Sequence, residues 1–245
     1  MIRQYPKETV GASFAGGVHE QTWRDHAWHF VDRISQLEVD VVSVFVGRRN
    51  RACPLFACCR SLSSSSQIDF EKRRIGDDGS DCLLSVDGTH CPIEARGKRW
   101  YSHKFKKPGV AYELGLCIKT GHIVWLAGPL PAGEWNDISI FRLALKHELD
   151  PNERVAADKG YCGECPTTAK TPGPLYTDER YIKMMGGVAA RHETANSRLK
   201  MFECLRQRFR HGVAAHAACF RAVAFVVQLQ IEYGEPLFDV KYSDK

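Results

Sequence analysis

Residues 83–93, LLSVDGTHCPI, contain an apolar run that ends on a single acidic residue, Asp87. Apolar and β-branched residues in such a short run predict a buried strand over about 82–87. We expect this strand to deliver the Asp87 carboxylate to an edge of a sheet. A little further on, RGKRWYSHKFKK (96–107) is strongly basic, so the sequence sets a carboxylate beside concentrated positive charge.

The rest of the chain predicts an α/β fold, in which a mixed sheet carries helices against it. A hairpin is predicted over 110–130, because two runs rich in β-branched and aromatic residues flank the turn residues KTGH. A short strand is predicted over 154–158, and residues 162–187 read as irregular because they contain many prolines and glycines. Helices are predicted over 18–37, 136–149, 189–210 and 213–233.

Composition limits the class of protein. The chain has 245 residues, of which 44% are apolar and 26% charged, which suits one globular domain with at most a small appendage. The most apolar stretch, 213–231, includes His216 and Arg221 and is typical of a buried helix, so no membrane association is expected. Ten cysteines without an apolar signal region indicate reduced thiols. We therefore expect a nuclear protein, with the cytoplasm as the alternative.

Residues 43–67 differ from their surroundings. They contain no acidic residue, four arginines and a serine-rich end, and they include Cys53, Cys58 and Cys59. One interpretation is a disordered polar loop. The other is a translated intron, because SLSSSSQ is readily encoded by a pyrimidine tract before a splice acceptor. Either interpretation divides the chain into a helical remnant at 1–42, an insert at 43–67 and a main domain at 68–245.

Three acidic residues are candidates for a shared site. Asp87 and Asp158 each end a predicted strand, and Glu193 lies on the next predicted helix, off its apolar stripe. If the two strands are neighbours, the three carboxylates meet at one end of the sheet. Oxygen ligands of this kind suit Mg²⁺. The alternative is that each residue forms a turn or caps a helix.

Basic residues near these carboxylates are candidates for binding nucleic acid, because cations neutralise phosphates and aromatic rings stack on unpaired bases. The alternative is a solvated edge guarded by lysines. The predicted DNA-binding residues are Lys98, Arg99, Lys104, Lys106, Lys107, Arg198 and Lys200.

Two weaker signals stay open. CGEC (162–165) has the spacing of half a zinc site or of a redox pair, although no second matching pair follows it. His90 follows Asp87 closely enough to approach the same cleft. Chance cysteines and a structural histidine are the alternatives.

Three stretches together resemble the DDE-superfamily transposases of the PIF/Harbinger type, which are related to bacterial insertion-sequence transposases. SVDGTHCPI resembles the motif of the first catalytic aspartate, AADKGYCG that of the second, and RHETANSRLKMFECLRQRFRH the helix with the third acidic residue. The resemblance covers roughly residues 69–242. It places the three catalytic and metal-binding roles on Asp87, Asp158 and Glu193.

The resemblance implies an RNase H-like fold with a mixed five-stranded sheet over residues 68–245. It also implies cleavage of DNA with two Mg²⁺ or Mn²⁺ ions, followed by strand transfer of the freed 3′-hydroxyl. Asp137, in the family-like stretch GEWNDISIF, is expected to cap a helix.

The chain departs from the resembled family at its start, where a DNA-binding domain is expected and only a short helical segment is found. We therefore expect a separate DNA-binding partner protein or a homo-oligomer. The alternative function is that of an inactive, domesticated or degenerate derivative of a transposase that binds DNA or protein.

Overall fold

The computed structural model describes residues 5–36, 70–77, 79–173 and 175–241. The predicted insert at 43–67 lies outside these residues, so both of its interpretations stay predictions. The strands are β1 (Cys82–Pro92), β2 (Tyr101–Ser102), β3 (Lys107–Cys117), β4 (Ile123–Pro131), β5 (Arg154–Ala157) and β6 (Ala169–Lys170). The helices are α1 (Glu8–Phe14), α2 (Glu20–Gln36), α3 (Asp137–Leu143), α4 (Glu179–Lys200), α5 (Glu203–Arg206) and α6 (Val213–Tyr233).

The strands form one mixed sheet around β1. On one side β1 pairs antiparallel with β3, which also pairs with β4 and β2, and on the other side it pairs parallel with β5. β6 extends the sheet beyond β5. The predicted α/β class and RNase H-like fold are confirmed. The sheet has six strands instead of the expected five, and β2 and β6 are only two residues long.

Alternation along β1 separates the two faces of the sheet. Leu84 and Val86 pack into a cluster with Phe141 of α3 and Tyr161. The intervening Ser85 and Asp87 point to the opposite face, where they meet α4. The strand therefore buries one row of side chains and sends the other row towards the helix that carries Glu193.

The second helix and the last helix pack against each other. α6 is long and apolar enough to cross a membrane by composition alone, but 56% of its apolar window is buried inside the domain. α2 packs on α6, and its Val31 joins the same core cluster as Phe220. Before α1, Tyr5 stacks on Phe209 with ring centroids 5.2 Å apart. The described part of residues 1–42 thus shares a core with the main domain, and the proposed boundary stays a prediction.

Four predicted boundaries are wrong. The helix predicted to run to Arg210 ends at Lys200, and α5 follows it as a separate short helix. β1 continues to Pro92 instead of ending at Asp87, because its pairing with β3 outlasts its pairing with β5. The helix 136–149 is α-helical only to Leu143 and ends in a short 3-10 turn. α4 begins ten residues before the predicted Ala189, since Asp178 caps it by accepting hydrogen bonds from the amides of Arg180 and Tyr181. Glu193 consequently lies well inside this helix.

Candidate active site

Parallel pairing brings the first two predicted carboxylates side by side. Val86 of β1 pairs with Ala157 of β5, and the next residues along the two strands are Asp87 and Asp158. Here β5 ends, because the Asp158 side chain turns the chain by accepting a hydrogen bond from the Gly160 amide at 2.8 Å. The expectation that the two strands are neighbours is therefore confirmed.

Helix α4 carries the third carboxylate to the same place. Nε2 of His192 lies 2.8 Å from the Ser85 hydroxyl, and the Asn196 amide donates to Oδ2 of Asp87 at 3.1 Å. These contacts fix the register of α4 on β1. Glu193 lies between the two contact residues of α4 and is exposed at the edge of the sheet. The acidic edge, as we call it below, consists of Asp87, Asp137, Asp158 and Glu193.

Asp137 belongs to the acidic edge and does not cap α3. The cap is Asn136, whose side chain accepts from the Ser139 amide at 3.0 Å. The Asp137 carboxylate instead lies over the backbone of Gly88, where a Cβ atom would stand 1.9 Å from Oδ1 of Asp137. A glycine after Asp87 is thus required for this approach. The expected capping role of Asp137 is wrong, because the neighbouring asparagine takes it.

The four carboxylates act on one another. Burial, followed by the charges of Asp137, Asp158 and Glu193, raises the pKa of Asp87 to about 6, although the Gly88 amide opposes this by donating to Oδ1 at 2.8 Å. Burial also raises the pKa of Asp137, with Asp158 adding to the shift and Lys104 opposing it. No described cation forms an ion pair with any of the four. The acidic edge therefore holds negative charge that no ion pair with a described residue neutralises.

Glu113 is a buried acid that the sequence did not single out. It lies opposite Gly88 in the pairing of β1 with β3, and it is fully buried. The Trp125 indole donates to its Oε1 at 3.0 Å. Burial raises the pKa of Glu113 to about 8, against the opposing Trp125 hydrogen bond, and the charge of Asp137 adds to the shift. β3 is buried at every position from Gly109 to Cys117, so no alternation marks Glu113, and its acidic type argued for the surface.

The donor set of the acidic edge is chemically suited to a hard divalent cation, because it consists of carboxylate oxygens. Burial is the main cause of the raised pKa of Asp87, and the neighbouring negative charges that add to it would be neutralised by a bound cation. However, among the described residues no three His, Cys, Asp or Glu side chains are gathered closely enough to hold a metal ion. The four residues suit a metal ion by their type and by their position, but their side chains are not arranged around a common point.

Comparison with known families identifies the chain. Residues 86–228 match the family described as DDE superfamily endonuclease, which is more than half of the chain. The chain belongs to this superfamily of endonucleases. Neither a curated protein nor a solved structure gives a significant match. The matched region contains all four residues of the acidic edge.

The predicted DNA-binding residues of this DDE-family chain differ in their surroundings. Arg99 lies 3.7 Å from Glu134 and 5.1 Å from the Trp100 ring, and Arg198 donates to the backbone carbonyls of Glu235 and Pro236. Both arginines thus have partners within the fold. The five lysines, by contrast, form no ion pair with any described residue: Lys98, Lys104, Lys106, Lys107 and Lys200.

The two weaker candidates have different outcomes. Cys162 is exposed, Cys165 is half-buried, and both are free thiols. No described group of side chains joins them into a zinc site. His90 is buried beside the turn that joins β2 and β3, and its ring stacks on Phe105 of that turn. It lies next to the lysines and makes no contact with a carboxylate of the acidic edge.

Proposed function

We propose that the protein is a metal-dependent DNA endonuclease or transposase whose catalytic residues are Asp87, Asp158 and Glu193. One observation carries the proposal. Two adjacent strands and one helix bring three carboxylates to a single edge, and no described cation neutralises them. Mutual repulsion costs stability, so an unpaired acidic edge favours a role in binding cations.

Each part of the site has a distinct task in this proposal. Gly88 and Asn196 hold the two oxygens of Asp87, which fixes the orientation of that carboxylate. Oδ1 of Asp158 accepts from the Gly160 amide, which leaves Oδ2 as the oxygen to bind the ligand. Glu193 completes the donor set from α4. These carboxylates would hold two Mg²⁺ or Mn²⁺ ions, which would supply an activated water and stabilise the leaving oxygen of a phosphodiester.

DNA is the proposed substrate, since the unpaired lysines beside the acidic edge suit a phosphate backbone. Strand transfer by the freed 3′-hydroxyl and membership of the PIF/Harbinger type rest on the sequence resemblance. A nuclear location, a separate DNA-binding partner protein and a homo-oligomer are parts of the same proposal.

A cleavage assay with labelled DNA tests the proposal. The wild type is expected to cut in Mg²⁺ or Mn²⁺ and to be inactive in EDTA, whereas Asp158→Asn is expected to be inactive in both. The matched control is Glu164→Gln, because Glu164 ends the 3-10 turn that Asp158 begins and lies outside the acidic edge. This control is expected to cleave like the wild type.

The rival function is that of a DNA- or protein-binding derivative without catalysis. A wild type that binds DNA but never cleaves it in Mg²⁺ or Mn²⁺ would support this rival. Equal cleavage by the wild type and Asp158→Asn would refute the assigned site, and an inactive Glu164→Gln variant with a normal fold would show that the loss is not specific to the acidic edge.

A further inference from the structure

The hairpin between β2 and β3 is held in one shape by a buried histidine. The rings of His90 and Phe105 stack with centroids 4.5 Å apart and an interplanar angle of 21°. The Phe105 amide donates to the Ser102 hydroxyl at 3.3 Å, and Lys106 has a positive φ of 53°. Since Ser102 pairs with Lys107, the intervening turn is short and constrained.

Gly109 leaves the space that the His90 ring occupies. A Cβ atom at Gly109 would lie 2.0 Å from Nε2 of His90, so the ring can rest there only against a glycine. His90 is 7% exposed, and its Nε2 is buried without a hydrogen-bond partner among the described residues. The ring is thus wedged between Gly109 and Phe105, and it supports the turn from below.

Three lysines from three different elements surround this stack. Lys104 is in the turn, with its Nζ 5.4 Å from the centre of the Phe105 ring; Lys107 begins β3; and Lys200 ends α4. Burial, followed by the charges of Lys107, Lys200 and Lys104, lowers the pKa of His90 to about 4. The ring is therefore neutral at physiological pH, and it adds no fourth positive charge.

Two of these lysines are also linked to the acidic edge. The charge of Lys104 opposes the rise in the pKa of Asp137, and Lys200 lies one helical turn beyond Asn196, which contacts Asp87. None of the three forms an ion pair with a described residue. Three positive charges that act on one neutral pair of rings suit an anion, and no described residue supplies that anion.

We propose that Lys104, Lys107 and Lys200 form one phosphate-binding subsite, seated on the His90–Phe105 stack, that receives a backbone phosphate of DNA next to the one being cleaved. This inference rests on the proposed function. It assigns to His90, Phe105 and Gly109 a positioning role, and it separates the three lysines from Lys98 and Lys106, which lie outside the subsite.

Salt dependence of DNA binding distinguishes one shared phosphate from three separate contacts. Binding of a fluorescein-labelled duplex is measured in EDTA, where no cleavage occurs, at several salt concentrations. The logarithm of affinity falls with the logarithm of salt by about 0.9 for each neutralised phosphate. The triple variant Lys104→Ala/Lys107→Ala/Lys200→Ala is therefore expected to lose about 0.9 from the slope.

Three independent contacts would instead remove about 2.7 from the slope of the triple variant, and that result would overturn the shared subsite. An unchanged slope, or a wild type that binds no DNA, would overturn it as well. The matched control is Lys106→Ala. When it is combined with Lys104→Ala, the fold-loss of DNA affinity is expected to equal the product of the two separate losses. Lys104→Ala and Lys107→Ala affect the same phosphate, so their combined fold-loss of DNA affinity is expected to be smaller than the product of the two separate losses. The cleavage assay judges the proposed function separately.

The positioning role has its own test. Phe105→Ala is expected to reproduce the slope loss of the triple variant, because the turn loses its support, while the ring-conserving Phe105→Tyr is expected to bind like the wild type. Phe105 is 43% exposed, so truncating it should leave the unfolding temperature nearly unchanged. Wild-type binding by Phe105→Ala would remove the stack from the subsite, and equal losses in both variants would do the same.

Discussion

The two ends of one 3-10 turn show two uses of a carboxylate. Glu164, at the end of the turn, is buried and accepts hydrogen bonds from Arg142, Lys146 and Thr168. Asp158 begins the turn at the acidic edge, where no described cation pairs with it. Glu164 therefore has cations as well as neutral donors, whereas, within the described part of the chain, the edge carboxylates Asp87 and Asp158 accept only from neutral amides. This difference indicates that the negative charges of the acidic edge destabilise the folded chain.

The pKa values follow the same division. Although burial alone would raise the pKa of Glu164, hydrogen bonds from Lys146, Arg142 and Thr168 lower it to about 2. For Asp87, burial and the neighbouring carboxylates raise the pKa to about 6. Replacing the Glu164 carboxylate by an amide should therefore lower stability, and replacing the Asp87 carboxylate by an amide should raise it.

The largest effect is expected for Asp87→Asn, which should reduce metal-dependent cleavage by about a hundredfold or more. The same variant should unfold less readily than the wild type at pH 7, by about 1–3 kcal/mol in EDTA. Because the pKa of Asp87 is higher in the folded chain, the wild type loses stability as pH rises from 3.8 through about 6. The Asp87→Asn variant has no charge to gain at this position, so it does not lose that stability. The Asn196 amide can rotate to present its unpartnered oxygen to the new side chain.

Denaturant unfolding at acid and neutral pH, together with the cleavage assay, checks both halves of this prediction. The gain in stability should vanish near pH 3, where Asp87 is protonated in both folded and unfolded chains. A variant that is inactive and also less stable at pH 7 would contradict the contrast between the two kinds of carboxylate.

Glu113→Gln is expected to stabilise the protein by up to about 3 kcal/mol at pH 7. The raised pKa means that folding at neutral pH must keep a proton on Glu113, so stability falls as pH rises from 4.5 through about 8. The amide oxygen of glutamine can still accept from Trp125. Unfolding free energy measured from pH 4 to pH 9 should therefore be flatter for the variant.

The control for Glu113 is Glu153→Gln. Glu153 is equally buried but accepts from the Arg73 guanidinium at 2.9 Å, so loss of its charge should destabilise the fold. Should both variants shift stability in the same direction, burial alone would account for the results.

Glu164→Gln is expected to destabilise the protein by about 1–2 kcal/mol at pH 7, since Arg142 and Lys146 are partly exposed and solvent screens the pair. Its lowered pKa contributes stability above pH 4.5 that is lost as pH falls towards 2. The wild type and the variant should therefore converge in acid. A constant difference between them down to about pH 2 would show that packing, and not charge, is responsible.

The sequence predicted the edge carboxylates Asp87 and Asp158 because 82–87 and 154–158 each have the pattern of a short strand that ends on an aspartate, and the structure adds that the two strands are neighbours. The structure departs from those boundaries where tertiary pairing overrides local signals. β1 runs past Asp87 because β3 continues to pair with it, and α4 extends through Gly186 and Gly187 because Asp178 caps it upstream. Periodicity cannot reveal how long a partner strand will be.

Asp137 and Glu113 were beyond the reach of sequence reasoning for a different reason. Asn136 and Asp137 are equally good caps in a one-dimensional reading, and only the packing over Gly88 separates them. Glu113 has a residue type that argues for solvent, and its burial is decided by the sheet register with β1 and by the Trp125 side chain. Close approach across a sheet has no local signature.

The smallest predicted effect tests whether Asp137 truly belongs with Asp87. If the two repel each other, Asp87→Asn and Asp137→Asn relieve the same interaction, so the double variant should gain less stability than the sum of the single gains. Residues that interact directly show such coupling at about 0.5–1 kcal/mol, whereas independent sites add. Asn136→Ala is the matched comparison on the neighbouring residue. It should cost about 1 kcal/mol through loss of the helix cap, with no coupling to Asp87→Asn. Additive gains for the two aspartate variants, measured by denaturant unfolding in EDTA, would remove Asp137 from the acidic edge and leave the other three carboxylates to act without it.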